Sequence, residues 1–323
     1  MAPSVTCARH FYGARRIFEQ SLDVYTPADA PSAAPLVVLV VGSAWLGHRA
    51  AIYRATSWWN SSGPAAVART GCVCVCIRHR GAFPRPPPLW LFCLLAALAL
   101  LWFPTLTAAL IISVCPLWHA LARGDATHDQ MVSDVRDALG WVAAQRHRLV
   151  SPGRPPAAKL IFGGYSSGAH VAISLLQQRE AEGCLPANVR QQIDGVLLLS
   201  GVLGVRDATQ RMPSAWAPHA LIVRAAFGDG MDDVPSPVHK TETVPLLPHL
   251  LIYCEHEVFN LQPVERWLAP LFSSPLFAAK LRQRGVPVRE VAVQSDHWNV
   301  LSSAGFASAI RKVLIEEQWP PSS

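Results

Sequence analysis

The stretch Leu160-Ile161-Phe162-Gly163-Gly164-Tyr165-Ser166-Ser167-Gly168-Ala169-His170 decides the fold. An apolar run reaches two glycines, and small residues then open a pattern typical of a helix. Residues 164–168 match G-x-S-x-G, in which a sharp strand-to-helix turn strains the serine backbone and lifts its hydroxyl above a sheet. The sequence therefore predicts Ser166 as a nucleophile. The alternative is a glycine-rich turn of the same shape without catalysis.

On both sides of this turn, short apolar runs alternate with helical patterns, which indicates a mainly parallel α/β sheet with helices on both faces. One domain over 1–323 is expected, with a small cap or lid at the Pro- and Asp-rich residues 204–245. The strand at 159–162 is expected to end at Gly163. The predicted strands are 22–26, 36–41, 72–77, 159–162, 193–199, 247–253 and 288–293, and the predicted helices are 51–70, 129–147, 167–179, 263–284 and 304–317.

Composition excludes some functions. The chain has 323 residues and a net charge of +6, but its basic residues form no runs and do not alternate with aromatic residues, so no nucleic-acid partner is predicted. Its eight cysteines show no C-x-x-C spacing, and Cys72, Cys74 and Cys76 alternate along one strand as small buried side chains. This pattern favours a catalytic domain that faces the reducing cytosol. No metal or cofactor is called for.

A hydrophobic insertion interrupts the alternation. Residues 86–118 include no Asp, Glu, Lys or Arg, and Pro104 divides them into two arms. Each arm, as a helix of about 13 to 15 residues, would be about 20 to 22 Å long, which is shorter than a hydrocarbon core of about 30 Å. A single crossing is excluded because the strands on either side must join one sheet. We therefore predict that 86–122 form a membrane-associating hairpin that dips into one leaflet; a helical pair buried in the protein is the alternative.

The flanks of this insertion are basic. Arg78, Arg80 and Arg85 precede it and Arg123 follows it, so all four are expected among lipid headgroups. The expected setting is a membrane of the endoplasmic reticulum or Golgi, with membrane lipid as a partner through 86–122. The first 20 residues lack the apolar core of a secretory signal peptide.

A serine nucleophile needs a base and an acid, which follow it along the chain in this type of site. His297 comes directly after the last predicted strand, in the run 294–298, and is the predicted base. Glu257 lies just beyond the second-last strand and is the predicted acid, with Glu255 as the alternative. His170, one helical turn past the nucleophile, is expected to be a packing residue.

An ester carbonyl under attack also needs amide donors for its developing negative charge. The turn Gly42-Ser43-Ala44-Trp45 follows a predicted strand. The backbone amides of Ser43, Ala44 and Ser167 are therefore the predicted oxyanion donors. Small-residue turns after strands are common, so this prediction depends on the other parts of the site.

With these pieces placed, the chain resembles the esterase/lipase branch of the α/β-hydrolases, and within it the isoprenylcysteine methylesterase-like proteins. The resemblance implies an α/β-hydrolase fold, a Ser166–His297–Glu257 triad and hydrolysis of a lipid-like or prenylcysteine methyl ester at a membrane. A broad carboxylesterase, an arylformamidase-like hydrolase and a catalytically weak membrane-bound binding protein of the same fold are the alternatives. The resemblance rests on 12–13, 22–27, 41–45, 77–80, 83–84, 131–134, 164–170, 236–237 and the loops that carry the acid and the histidine.

Two departures from that family stand out. Its oxyanion turn is usually His-Gly-Gly-Gly or Thr-Gly-Gly-Ala, whereas Val41 and Ser43 replace the first and third residues here. A non-glycine residue at Ser43 strains the turn if that position needs a positive φ. The acid is usually aspartate and is Glu257 in this chain.

Overall fold

The structure, a computed structural model, describes residues 4–28, 34–45, 47, 62–82, 126–149, 159–178, 184–206, 227, 236–257 and 269–320. These residues form an eight-stranded sheet with the order β1-β2-β4-β3-β5-β6-β7-β8. Strand β2 runs antiparallel to both β1 and β4, and every other neighbouring pair is parallel. The strands are β1 (Val5–Phe11), β2 (Ser21–Pro27), β3 (Leu36–Val40), β4 (Val73–Ile77), β5 (Leu160–Tyr165), β6 (Ile193–Leu199), β7 (His249–His256) and β8 (Val288–Asp296).

Helices cover both faces of this sheet, as predicted. Successive side chains of β3 point to opposite faces, which separates the core into two layers. One layer contains Leu36 and Val38 with residues of α2 and α3, and the other contains Val37 with residues of α1 and α6. The helices are α1 (Ser62–Arg69), α2 (His128–Leu149), α3 (Ser167–Gln177), α4 (Ala187–Arg190), α5 (Ser274–Gln283) and α6 (Ala304–Ile310), which continues as a π-helix over Arg311–Glu316.

The structure differs from the predictions at several elements. The short helix α4 was not predicted, α5 covers only Ser274–Gln283 among the described residues of the predicted helix 263–284, and β7 runs to His256 rather than Tyr253. Two further strands also differ. Strand β1 was not predicted, because most of its side chains are exposed at the edge of the sheet and show no apolar alternation. Strand β5 continues through Gly163 to Tyr165 instead of ending at Gly163. A Cβ at Gly163 would lie 1.7 Å from the carbonyl oxygen of Leu197, so this glycine permits close approach of β6 rather than ending the strand.

The three alternating cysteines behave as predicted. Cys72, Cys74 and Cys76 are fully buried in the same core layer, and all three are free thiols. Burial raises the pKa of the Cys72 thiol to about 12, so this thiol stays neutral at physiological pH.

The expectation that Arg78 reaches lipid headgroups is wrong; for Arg80, whose side chain is 38% exposed, it stays a prediction. Arg78 is fully buried, and its guanidinium donates to both carboxylate oxygens of Asp23, at 2.6 and 2.8 Å. Arg80 pairs with Asp134 at 2.8 Å. Both arginines follow β4 directly, so they reach acidic side chains of the fold before the insertion begins.

Several predicted features lie outside the described residues. They are the insertion 86–122, Arg85, Arg123, residues 51–61 of the first predicted helix and most of the cap 204–245. In the part of the chain that the structure describes, no helix has both the length and the apolar character needed to span a membrane. The membrane hairpin and the cap therefore stay predictions.

Candidate active site

Ser166 occupies the turn between β5 and α3. Its backbone has φ 56° and ψ −127°, a strained conformation for a residue with a side chain, and its amide donates to the carbonyl of Leu199 at 3.0 Å. Glycine is required on both sides of Ser166, at Gly164 and Gly168, because a side chain would not fit there. A Cβ at Gly168 would lie 2.2 Å from the carbonyl oxygen of Val40, and one at Gly164 would overlap the first turn of α3. This local packing forces the tight turn that presents the serine side chain at the carboxyl edge of the sheet.

The structure brings Ser166, His297 and Glu257 together from three separate strand ends. Ser166 Oγ lies 2.9 Å from His297 Nε2, and His297 Nδ1 lies 3.3 Å from Glu257 Oε2. The histidine and glutamate side chains are only 7% and 12% exposed, so little water competes for these contacts. Because an ionised carboxylate only accepts hydrogen bonds, Nδ1 carries the ring proton and Nε2 is left to accept from the serine hydroxyl. This arrangement can make the hydroxyl a nucleophile.

The position of Glu257 is fixed by its own strand. Its Oε1 accepts the backbone amide of Cys254, at 3.2 Å, while Oε2 faces the histidine. Glu255, the alternative acid, is exposed. Burial, followed by the neighbouring Glu257 charge, raises the pKa of the Cys254 thiol to about 12, so this thiol is not a competing nucleophile at neutral pH.

Two aromatic side chains hold the imidazole of His297. The Tyr165 hydroxyl donates to the backbone carbonyl of His297, and the two rings stack with centroids 5.1 Å apart. The Phe272 ring contacts the imidazole from another direction, at 4.6 Å between centroids. Burial raises the pKa of Tyr165 well above its usual value, so its hydroxyl stays a donor. Sequence reasoning missed Tyr165, although an aromatic residue inside the G-x-S-x-G pattern was the signal.

Asp296, beside the histidine, has a different task. It accepts the backbone amides of Trp298 and Asn299, both at 2.9 Å, and thereby shapes the turn that carries His297. Burial opposes ionisation of Asp296, but hydrogen bonds from Asn299 and Trp298 outweigh it and lower the pKa of the carboxyl. Asp296 is therefore an ionised turn residue, and Glu257 is the carboxylate that contacts the imidazole.

The predicted oxyanion turn lies against Ser166. A Cβ at Gly42 would come within 2.7 Å of Ser166 Cβ, so glycine is required there by contact. Positive φ angles occur at Ala44 and Trp45, 49° and 60°, and not at Ser43. The strain anticipated at Ser43 therefore falls on the next two residues.

The three predicted oxyanion donors are not equivalent. The amide of Ser43 donates to Ser167 Oγ at 2.9 Å and is already engaged, which differs from the prediction. The cause is the hydroxyl of Ser167, the residue that follows Ser166. The amides of Ala44 and Ser167 donate no hydrogen bond to the described residues. These two remain the predicted donors.

His170 packs behind this turn, as predicted. It is fully buried, its Nδ1 accepts the indole N–H of Trp45 at 3.4 Å, and its ring contacts the rings of His128 and Phe227. In the described part of the chain no group of three or more His, Cys, Asp or Glu side chains is placed to hold a metal ion.

No family model and no curated protein matches the sequence. Solved structures, by contrast, match the fold of this chain. A truncated carbohydrate esterase from gut microbiota is 15% identical, with a TM-score of 0.62 and coverage of 98% of this chain and 97% of that one. Esterase B from Lactobacillus rhamnosis is 14% identical, with a TM-score of 0.58 over 95% and 86% of the two chains. A bacterial heroin esterase is 16% identical, with a TM-score of 0.55 over 95% and 84%. At these identities the likeness concerns the fold.

Proposed function

On the premise that the chain has the α/β-hydrolase fold, we propose that it is a serine hydrolase that cleaves carboxylic esters. One observation carries the proposal: Ser166 Oγ, the His297 imidazole and the Glu257 carboxylate form a continuous line of contacts at 2.9 and 3.3 Å. Ser166 is the proposed nucleophile, His297 the base and Glu257 the residue that orients it. The strained backbone at Ser166 supports a functional rather than a purely structural turn.

The proposed reaction has two acyl-transfer steps. His297 Nε2 takes the proton of Ser166 as Oγ bonds to the ester carbonyl carbon, and the carbonyl electron pair moves to oxygen. The amides of Ala44 and Ser167 stabilise that oxyanion, and each such donor contributes about 3 kcal/mol. The C–O bond to the alcohol then breaks, and His297 returns the proton to the leaving alkoxide. Water attacks the acyl-enzyme by the same route and releases the acid.

The substrate is proposed to be an ester on a lipid-like molecule, with a prenylcysteine methyl ester as the specific candidate. Apolar surface beside the base supports this class, because Trp298 is 43% exposed next to His297 and Phe272 packs on the same imidazole. The uncharged residues 86–118 and the resemblance to methylesterase-like proteins support it as well. A broad carboxylesterase and an arylformamidase-like hydrolase are tested beside it.

A non-catalytic binding protein of the same fold is the second candidate. The observation that favours it is the engaged amide of Ser43, which leaves one oxyanion donor fewer than predicted. Turnover by the full-length protein decides between the two candidates.

The test is ester hydrolysis by full-length wild type, Ser166→Ala and Ser174→Ala. Ser174 is the matched control because it is a buried serine of α3, the helix that follows Ser166, and its Oγ has no hydrogen-bond partner among the described residues. Wild type and Ser174→Ala are expected to hydrolyse p-nitrophenyl esters with an initial burst, and Ser166→Ala is expected to lose about 10⁴-fold or more in kcat. Absence of turnover in wild type, or full turnover in Ser166→Ala, would contradict the proposal.

Substrate choice is tested with the same preparations. A prenylcysteine methyl ester is compared with short p-nitrophenyl esters and an N-formyl aryl amine by kcat/KM. If a prenylcysteine methyl ester is the substrate, kcat/KM is expected to be highest for that compound. Equal or higher values for the short esters favour a broad carboxylesterase, and preference for the formyl amide favours the arylformamidase-like activity.

The membrane hairpin is tested by carbonate extraction of the full-length protein and of a variant lacking 86–122. We expect the full-length protein to stay with the membrane fraction and the deletion variant to be released. Release of both forms would contradict the predicted membrane hairpin and would leave the hydrolase proposal unaffected.

A further inference from the structure

The turn after β3 is strained at two consecutive residues. Ala44 and Trp45 have φ angles of 49° and 60°, and neither residue is glycine. A left-handed conformation costs about 1 to 2 kcal/mol at each such residue, so surrounding contacts must hold the turn in place.

Two serine hydroxyls supply those contacts. Ser167 Oγ accepts the backbone amides of Ser43 and Trp45, at 2.9 and 3.4 Å, and so spans the strained residues from one side. Ser43 Oγ accepts the amide of Gly47 at 3.1 Å and ties the far end of the turn back to its start. Ser167 thus acts on the turn through its side chain, a role separate from that of its own backbone amide.

Burial shows which side of the turn this hydroxyl occupies. Ser167 is 1% exposed and Trp45 is 5% exposed, whereas Ala44 is exposed. The hydroxyl therefore lies on the inner side of the turn, and the amide of Ala44, between the two engaged amides, donates to no described residue.

We propose that the Ser167 hydroxyl is a positioning group that clamps the strained turn 42–45 and keeps the amide of Ala44 in place for the oxyanion. The inference rests on the proposed ester hydrolysis. In this arrangement the working donors are the amides of Ala44 and Ser167, and the amide of Ser43 serves the clamp. Loss of the hydroxyl removes the acceptor of the Ser43 and Trp45 amides, and a buried amide without an acceptor is costly enough to let the turn relax.

The experiment compares full-length Ser167→Ala with wild type and with Ser174→Ala, using p-nitrophenyl butyrate. We expect Ser167→Ala to lower kcat about 10- to 100-fold, with KM within about twofold, because the turn acts on the developing charge more than on the bound ester. Fluorophosphonate labelling is expected to slow in parallel. Ser174→Ala is expected to match wild type in kcat, KM and labelling.

A double-mutant cycle separates positioning from general damage. Ala44→Gly relieves the strain at that residue, so in the Ala44→Gly background the Ser167→Ala change is expected to lower kcat less than it does in wild type. Should Ser167→Ala fail to fold, Ser167→Cys takes its place, and the weaker sulfur acceptor is expected to give an intermediate kcat.

A kcat for Ser167→Ala equal to or above that of an active wild type would overturn the clamp, because the hydroxyl would then be idle or would obstruct the oxyanion site. Strictly additive effects in the cycle would overturn it too. A wild type that neither turns over esters nor reacts with fluorophosphonate would instead remove the proposed function, and the clamp with it.

Discussion

Replacing Glu257 by glutamine changes the proton position in the candidate triad and leaves its shape intact. Glu257 Oε1 accepts the amide of Cys254 at 3.2 Å, and Oε2 faces Nδ1 of His297 at 3.3 Å. In Glu257→Gln the side-chain carbonyl keeps the Cys254 contact, so the NH₂ group points at Nδ1. Nδ1 must then accept, which moves the ring proton to Nε2 and leaves no acceptor for the hydroxyl proton of Ser166.

The expected cost follows from that tautomer. The base is present and correctly placed but carries its proton on the wrong nitrogen, which lowers kcat by about 10⁴-fold, or about 5.5 kcal/mol of barrier. KM is expected to change little, because Glu257 touches the histidine and not the substrate.

The assay is steady-state hydrolysis of p-nitrophenyl butyrate, with the melting temperature measured for each variant. Glu255→Gln is the matched control, since Glu255 is an exposed glutamate two residues earlier, and it is expected to retain wild-type kcat. A Glu257→Gln variant within tenfold of wild type would refute the assignment of the acid. An equal loss in Glu255→Gln would transfer the role to that residue.

Three further predictions concern stability. Gly168→Ala places a Cβ 2.2 Å from a carbonyl oxygen at the end of β3, so we expect the free energy of unfolding, measured in urea, to fall by more than about 3 kcal/mol. At Gly140 an added Cβ meets nothing within 4 Å, so Gly140→Ala is expected to be neutral or stabilising. Equal effects of the two substitutions would contradict this. Asp23→Asn leaves the buried guanidinium of Arg78 without its charged partner and is expected to lower the free energy of unfolding by about 3 to 5 kcal/mol at pH 7. A loss under about 1 kcal/mol would refute this. Burial opposes ionisation of Asp23, but hydrogen bonds to Arg78 outweigh it and lower the pKa of Asp23 below 3.8. The difference in unfolding free energy between wild type and Asp23→Asn should therefore persist down to about pH 4 and shrink as the pH falls through that lowered pKa. Burial lowers the pKa of His249 from 6.5 to about 4, so as the pH falls the unfolded chain takes up this proton before the folded one does. Wild type should therefore lose about 3 kcal/mol of its free energy of unfolding between pH 6.5 and pH 4, and His249→Leu should lose about 3 kcal/mol less than wild type over the same range. The same pH dependence in both proteins would contradict this prediction.

The sheet and the arrangement of the site were predictable where a local pattern has one physical solution. The run 160–170 allows only a strand, a tight turn and a helix, and the strand ends that follow carry Glu257 and His297 in the expected order. Parallel strands bring their carboxyl ends to one edge, so residues about 90 and 130 positions after Ser166 meet beside it.

The features that sequence reasoning missed depend on contacts between distant segments. Gly163 looked like a strand end, but its role is contact with a neighbouring strand. Arg78 looked like the basic flank of a hydrophobic segment, and its partner Asp23 is 55 residues away. The Ser167 hydroxyl could be assigned to the turn 42–45 only once the distance between the two segments was known.

The central claim is that the Ser166 hydroxyl is a nucleophile, and mass spectrometry of the full-length protein treated with a fluorophosphonate tests it most directly. A single phosphonyl adduct on the peptide that contains Ser166, absent in Ser166→Ala and retained in Ser174→Ala, is the expected result. An unmodified wild type, or an adduct on a different residue that persists in Ser166→Ala, would contradict the claim.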